Sequence, residues 1–234
     1  MDINAEPVLD HGYVRYIPEG KWGSDEQIVE SARMSTQKGF KGWGTPDAPG
    51  DEKLLAYLWD HRHSTPFEFA GATFEICAPL LVFREWHRHR TQWYSEASAR
   101  YGPLPDMNYR PTRERIIAGA KAAADNRQAQ GTAPLNEPFV DVWLANLEQF
   151  YDKAEAMYQD ALTGGIPKEV ARVVLPVGRY SKMRAGANLR NWLHFLDLRQ
   201  HPTAQWEIRQ YADAVHEFLV REFPRTMALV RDAA

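Results

Sequence analysis

An α+β fold is what this sequence predicts, on three observations. Apolar residues recur at helical spacing over more of the chain than they alternate, and the few strand-like runs do not alternate regularly with the helical ones. A length of 234 residues, with 44% apolar content and 25% charge, suits one sizeable core. Long helices packed with a small mixed or antiparallel sheet therefore fit better than a doubly wound parallel sheet. The chain, 1–234, reads as a single domain without solenoid repeats or low-complexity tracts.

Residues 11–17 alternate enough to form a strand. Ser24, followed three residues later by Gln27, is a capping-box pattern that opens a helix through Ile28 and Ala32 toward Met34. A second helix fits 51–62. Pro66 then breaks the chain, and 69–77 mixes small, β-branched and aromatic residues as strands do. Pro79 suits the first turn of a helix over 79–90. The polar stretch 102–138, containing Gly and Pro, reads as a variable surface excursion with a short helical patch at 115–127.

From 139 to 162, Val140, Trp143, Leu144, Leu147, Tyr151, Ala154 and Tyr158 recur at helical spacing, and Gly164 and Gly165 follow, which predicts a long amphipathic helix. Trp143, Tyr151 and Tyr158 read as core or subunit interface rather than cofactor contacts. A short helix fits 167–175 and a strand 178–186. Helices at 188–198 and 203–223 complete the chain, with Pro224 ending the last.

Composition excludes several classes. A formal net charge of −3 does not favour non-specific attraction to nucleic acid. No apolar run approaches a membrane span, and the first residues lack the basic and apolar regions of a secretion signal, so a cytoplasmic location without membrane partners is expected. The single cysteine, Cys77, excludes an internal disulfide framework or a cysteine-based metal cluster within one chain. Cys77 lies in an apolar strand-like run before Pro79, with no helix N-terminus or cationic neighbour in view, so it reads as a small buried hydrophobe rather than a nucleophile. His61 with His63, and His87 with His89, are spaced so that helical neighbours point apart, and no H-E-x-x-H pattern accompanies them; no metal site is expected.

Positive charge is concentrated locally. Arg84, Arg88, Arg90 and Arg100 are opposed only by Glu85 and Glu96 within residues 84–101. Guanidinium groups bind phosphate or carboxylate as forks, and Ser98 and Glu96 supply groups for the neutral edges of a ligand, so a phosphorylated small molecule suits this stretch. A solvated helix end is the bland alternative. Stacking of nucleic-acid bases on Trp86, Trp93 and Tyr94 is another, which the acidic net charge opposes.

Arg88, His89 and Arg90, then Glu96, Ser98, Arg100 and Tyr101, resemble the signature of the flavin-dependent thymidylate synthases at the same spacing. Trp93 stands where that signature normally has Ser, and Ser95 where it has Asn. Further blocks follow in the family's order. Upstream, residues 63–68 resemble its HxTPFE segment. Downstream, 172–176 resemble its substrate-phosphate arginine segment. Asn188 to Arg190, His194 to Leu196, and Leu198 with Arg199 resemble its flavin-contacting helix, followed by a family-like 204–208.

The resemblance implies an α+β unit assembled as a homotetramer with shared active sites. It implies transfer of a one-carbon unit from methylene-tetrahydrofolate to dUMP, with FAD reduced by NADPH as hydride source, and no enzyme cysteine nucleophile. By the same resemblance, Arg199 is the catalytic residue and addresses the pyrimidine. Glu85, Arg88, Glu96, Ser98, Ala99, Arg100 and Arg172 join it in binding dUMP. His63, Thr65, Arg88, His89, Arg90, Glu96, Asn188, Arg190 and His194 meet the flavin.

Overall fold

A computed structural model describes residues 2–45, 47–122 and 134–231. Its centre is a five-stranded sheet in the order β1 (Ala5–Val8), β2 (Gly12–Trp22), β3 (Gly71–Pro79), β5 (Tyr180–Asn188), β4 (Trp93–Glu96). Every neighbouring pair is antiparallel, which settles the mixed-or-antiparallel expectation. Phe74, Ile76, Ala185 and Ala187 alternate along β3 and β5 and point to one face, as the two-residue strand period requires.

Helices cover that face. The first, α1 (Asp25–Arg33), opens as expected: the Ser24 side chain accepts from the Gln27 amide at 3.3 Å. Next comes α2 (Glu52–Asp60), and α3 (Leu80–Trp86) follows β3 directly. Then α7 (Leu189–Arg199) and α8 (Trp206–Glu222) lay Trp192, Phe195, Tyr211 and Phe218 on the sheet. Phe74 meets Trp192 edge-on at 5.0 Å, and Trp86 packs on Phe195 at 4.6 Å between centroids. Polar tips inside this layer are paired: Trp192 Nε1 donates to the Ala72 carbonyl and the Tyr211 hydroxyl to that of Cys77, both at 2.9 Å. Gly12 gives Tyr211 room, because a Cβ there would come within 2.0 Å of its hydroxyl.

The long helix α5 (Glu137–Thr163) is held by a buried polar contact. Arg179, almost fully enclosed, pairs with Glu155 at 2.6 Å and Asp106 at 2.7 Å. The Tyr151 hydroxyl donates to the Tyr109 carbonyl at 2.9 Å. The described part of 102–138 thus packs down at Asp106 and Tyr109. It carries α4 (Arg113–Ala122); the rest of the helical patch expected at 115–127 lies outside the described residues.

Three expectations are corrected. The helix over 79–90 stops at Trp86, because the His89 amide bonds the Trp86 carbonyl and the chain turns there. Residues 167–175 split into α6 (Lys168–Ala171) and a 3-10 turn, Arg172–Val174. The last long helix starts at Trp206 rather than Thr203, after a turn closed by the Ala204 amide on the His201 carbonyl. That helix ends at Glu222, just before Pro224, as expected, but Pro224 does not end the helical region. It starts α9 (Pro224–Arg231) at a position where its missing N–H costs nothing, and Asp25 accepts from the Arg225 and Thr226 amides. Strands β1 and β4 escaped the sequence reading altogether. Among the described residues, no helix is long and apolar enough to cross a membrane.

Candidate active site

The arginine-rich stretch folds back on itself between α3 and β4. Trp86, buried at the end of α3, donates its indole N–H to Gln92 at 3.0 Å. The Tyr94 hydroxyl donates toward the His89 carbonyl at 2.7 Å, and burial raises its pKa, so it stays protonated. These contacts pull His89 inward, only 6% exposed, while Arg88, Arg90 and Glu96 stay on the surface.

Arg199, at the C-terminal end of α7, meets that fold-back. Its Nε donates to His89 Nε2 at 2.8 Å, Nη1 to the Glu85 carboxylate at 2.9 Å, and Nη2 to the Glu85 carbonyl at 2.8 Å. The rings of His89 and His194 lie 6.2 Å apart. Burial, and then the electrostatic influence of Arg199 and of the neighbouring His194, lower the His89 pKa to about 4. Three of the expected residues, Glu85, His89 and Arg199, are therefore joined directly.

A second group lines a hollow of about 860 Å³ beside α7. Its walls include Trp59, Phe67 and Leu193, together with His63, Arg190 and His194. It shares Arg62, His63 and Ser64 with a smaller hollow of about 420 Å³, where Thr65 lies. Arg190 also pairs with Glu68. Asn188 sits at the N-cap of α7, its side-chain oxygen accepting from the Asn191 amide at 3.0 Å.

The third group gathers at α6. Arg100 pairs with the Glu169 carboxylate at 3.2 Å and Arg172 donates to the Glu169 carbonyl at 3.4 Å. The Ser98 hydroxyl accepts from the Arg100 amide at 3.3 Å, and Ala99 is buried beneath. These residues line neither hollow. Trp59, Asp197 and His201, outside the expected site residues, also line the larger hollow. Trp59 carried only the periodicity of a helix, which signals packing as readily as a site.

An α+β frame that gathers arginines beside an aromatic-sided hollow suits an enzyme that binds a phosphorylated heterocycle. Residues 19–225 match the family described as "Thymidylate synthase complementing protein". A flavin-dependent thymidylate synthase from Thermus thermophilus is 40% identical over 95% of this chain and 76% of its own length. One from Thermosipho africanus is 35% identical over 94% of this chain and 90% of its own. Among solved structures, a UMP/dUMP methylase, PolB from Streptomyces cacaoi, bound with 5-Br dUMP, matches with TM-score 0.78. It is 28% identical, covering 97% of each chain. The chain belongs to the flavin-dependent thymidylate synthase family.

Proposed function

We propose that this protein converts dUMP to dTMP, with methylene-tetrahydrofolate as one-carbon donor and NADPH as reductant of a bound FAD. The observation that carries the reading furthest is the fixed guanidinium of Arg199, whose terminal nitrogens keep N–H donors beyond those given to Glu85. Preplaced against the uracil edge, this cation stabilises negative charge as it develops on the ring. Glu85, Arg88 and Glu96 orient it and the nucleotide. Arg100 and Arg172, already gathered around Glu169, hold the phosphate with Ser98 and the Ala99 backbone.

The larger hollow fits a flavin by size and lining: apolar Trp59, Phe67 and Leu193 suit a flat ring, while Arg190 suits its phosphates. His63, Thr65, Arg90, Asn188 and His194 complete the set that would hold it, with Arg88 and Glu96 where the flavin meets the nucleotide. When bound, the flavin supplies the hydride that completes the methyl group.

A homotetramer with shared sites is part of the same reading. Phe139, Trp143, Phe150 and Met157 make an exposed apolar stripe along α5, with Val173 exposed beyond it, as a subunit contact would need. Sites shared between protomers also account for an arginine group that lines neither hollow of its own chain. A cytoplasmic location is part of this reading, and the net charge of −3 does not favour nucleic-acid partners.

The test is dTMP formation from dUMP, methylene-tetrahydrofolate, NADPH and FAD, omitting each in turn. Formation should require all four. Undiminished product from fully deflavinated enzyme without FAD would defeat the proposal, and a fully active monomer by light scattering would defeat the shared sites.

A further inference from the structure

We infer that His89 is a positioning residue for Arg199: a neutral imidazole that fixes the direction of the guanidinium without cancelling its charge. This rests on the reading that Arg199 addresses the pyrimidine.

The argument starts from what a guanidinium is able to do. It has donors only, so the 2.8 Å contact from Arg199 Nε requires a lone pair on His89 Nε2 and places the imidazole proton on Nδ1. A protonated His89 would set two cations edge to edge. Around the ring, α7 presents Arg199, His194 and the Phe195 ring, whose centroid lies 4.9 Å from that of His89, while the Tyr94 hydroxyl of β4 bonds the His89 backbone carbonyl. Glu85 on α3 is the single carboxylate in the group, and it faces Arg199.

The choice of a neutral acceptor has a chemical consequence. A carboxylate in the place of His89 would hold Arg199 at least as firmly, yet with Glu85 it would surround the guanidinium with two negative charges and weaken the field at the substrate. An imidazole without charge orients the fork through a directional bond and leaves its charge to act on the ring. Because Nε2 is engaged with Arg199, His89 serves the reaction through that residue rather than as a direct hydrogen-bond partner of the flavin through that nitrogen.

The experiment compares His89→Gln with His89→Leu in FAD-loaded enzyme. Gln carries a neutral acceptor near the place of Nε2, and Leu fills similar volume with none. Flavin content is read by absorbance, and kcat and KM for dUMP by dTMP formation. The Leu variant should keep its flavin and lose about tenfold or more in kcat, and Gln should recover most of that loss. Equal losses in both variants, an unaffected Leu variant, or loss of flavin from either would overturn the assignment. If His89→Leu does not fold, His89→Asn, whose amide stops short of Nε2, takes its place in the comparison. In an Arg199→Lys background, His89→Leu should cost nothing further, because the interaction it removes is already gone. If Arg199→Lys alone leaves dTMP formation intact, it is the reading of Arg199 that fails, whatever the His89 variants do.

Discussion

Glu207 on α8 accepts both prongs of the Arg115 guanidinium, at 2.9 and 3.3 Å, and the Tyr109 hydroxyl at 3.0 Å. This contact ties the stretch after the signature to the helical layer. Arg115→Ala would leave a buried carboxylate with the Tyr109 hydroxyl and its own backbone amide but no cation, at an expected cost of about 2–3 kcal/mol in urea unfolding. A loss below about 0.5 kcal/mol would show that water replaces the arginine freely.

The same carboxylate makes a pH prediction. Burial raises the Glu207 pKa, but Arg115 and Tyr109 outweigh it, and the net shift is downward. A carboxylate whose folded pKa lies below its unfolded value contributes stability that is present above the unfolded pKa, about 4.3, and lost as pH falls through the folded one. Glu207→Gln should therefore flatten the acid side of the stability profile. An unchanged slope below about pH 4.3 would remove Glu207 from the account.

Arg199→Lys should retain FAD, yet lose about 100-fold or more in dTMP formation, because an ammonium cannot reproduce a planar fork reaching His89 and Glu85 at once. Flavin absorbance and turnover on the same preparation separate the two effects. Flavin lost together with activity would mean that Arg199 shapes the site rather than acting in it.

Cys77→Ala should leave dUMP methylation intact. The side chain is 1% exposed, packed near Tyr109 and Tyr180, and burial pushes its thiol pKa up to about 11, the opposite of an activated nucleophile. A stability loss of about 1 kcal/mol is expected from the lost packing. Abolished chemistry in a folded, flavin-loaded Cys77→Ala protein would make Cys77 a nucleophile.

Trp93 lies across Gly186 of β5 and stacks on Trp22 at 5.8 Å, and a Cβ at Gly186 would meet its indole at 2.1 Å. Gly186→Ala should therefore part the stacked pair, read as altered tryptophan fluorescence, with a stability loss of about 0.5–1.5 kcal/mol. Unchanged fluorescence would mean that the ring is seated by something other than the glycine.

What the sequence determined alone is what local chemistry encodes. The recurrence of Val140, Leu144, Leu147, Tyr151, Ala154 and Tyr158 along α5 needs no partner to be read as a helix face, and Ser24 with Gln27 caps α1 through atoms three residues apart. The spacing of Arg88 to Tyr101 likewise carried the family, since the order of side chains is itself the signal. Tertiary structure decided the rest. Strand β4 is four residues of mixed polarity, with no alternation to betray it, and it is a strand because β5 offers its edge. Pro224 reads as a stop in one dimension and becomes a start because Asp25, far earlier in the chain, accepts the freed amides. The resemblance sets His89 and Arg190 alike beside a flavin. Only the turn after Trp86 and the end of α7 bury the one against Arg199 and leave the other on the wall of the hollow, because burial and charge pairing depend on contacts between residues far apart in the chain.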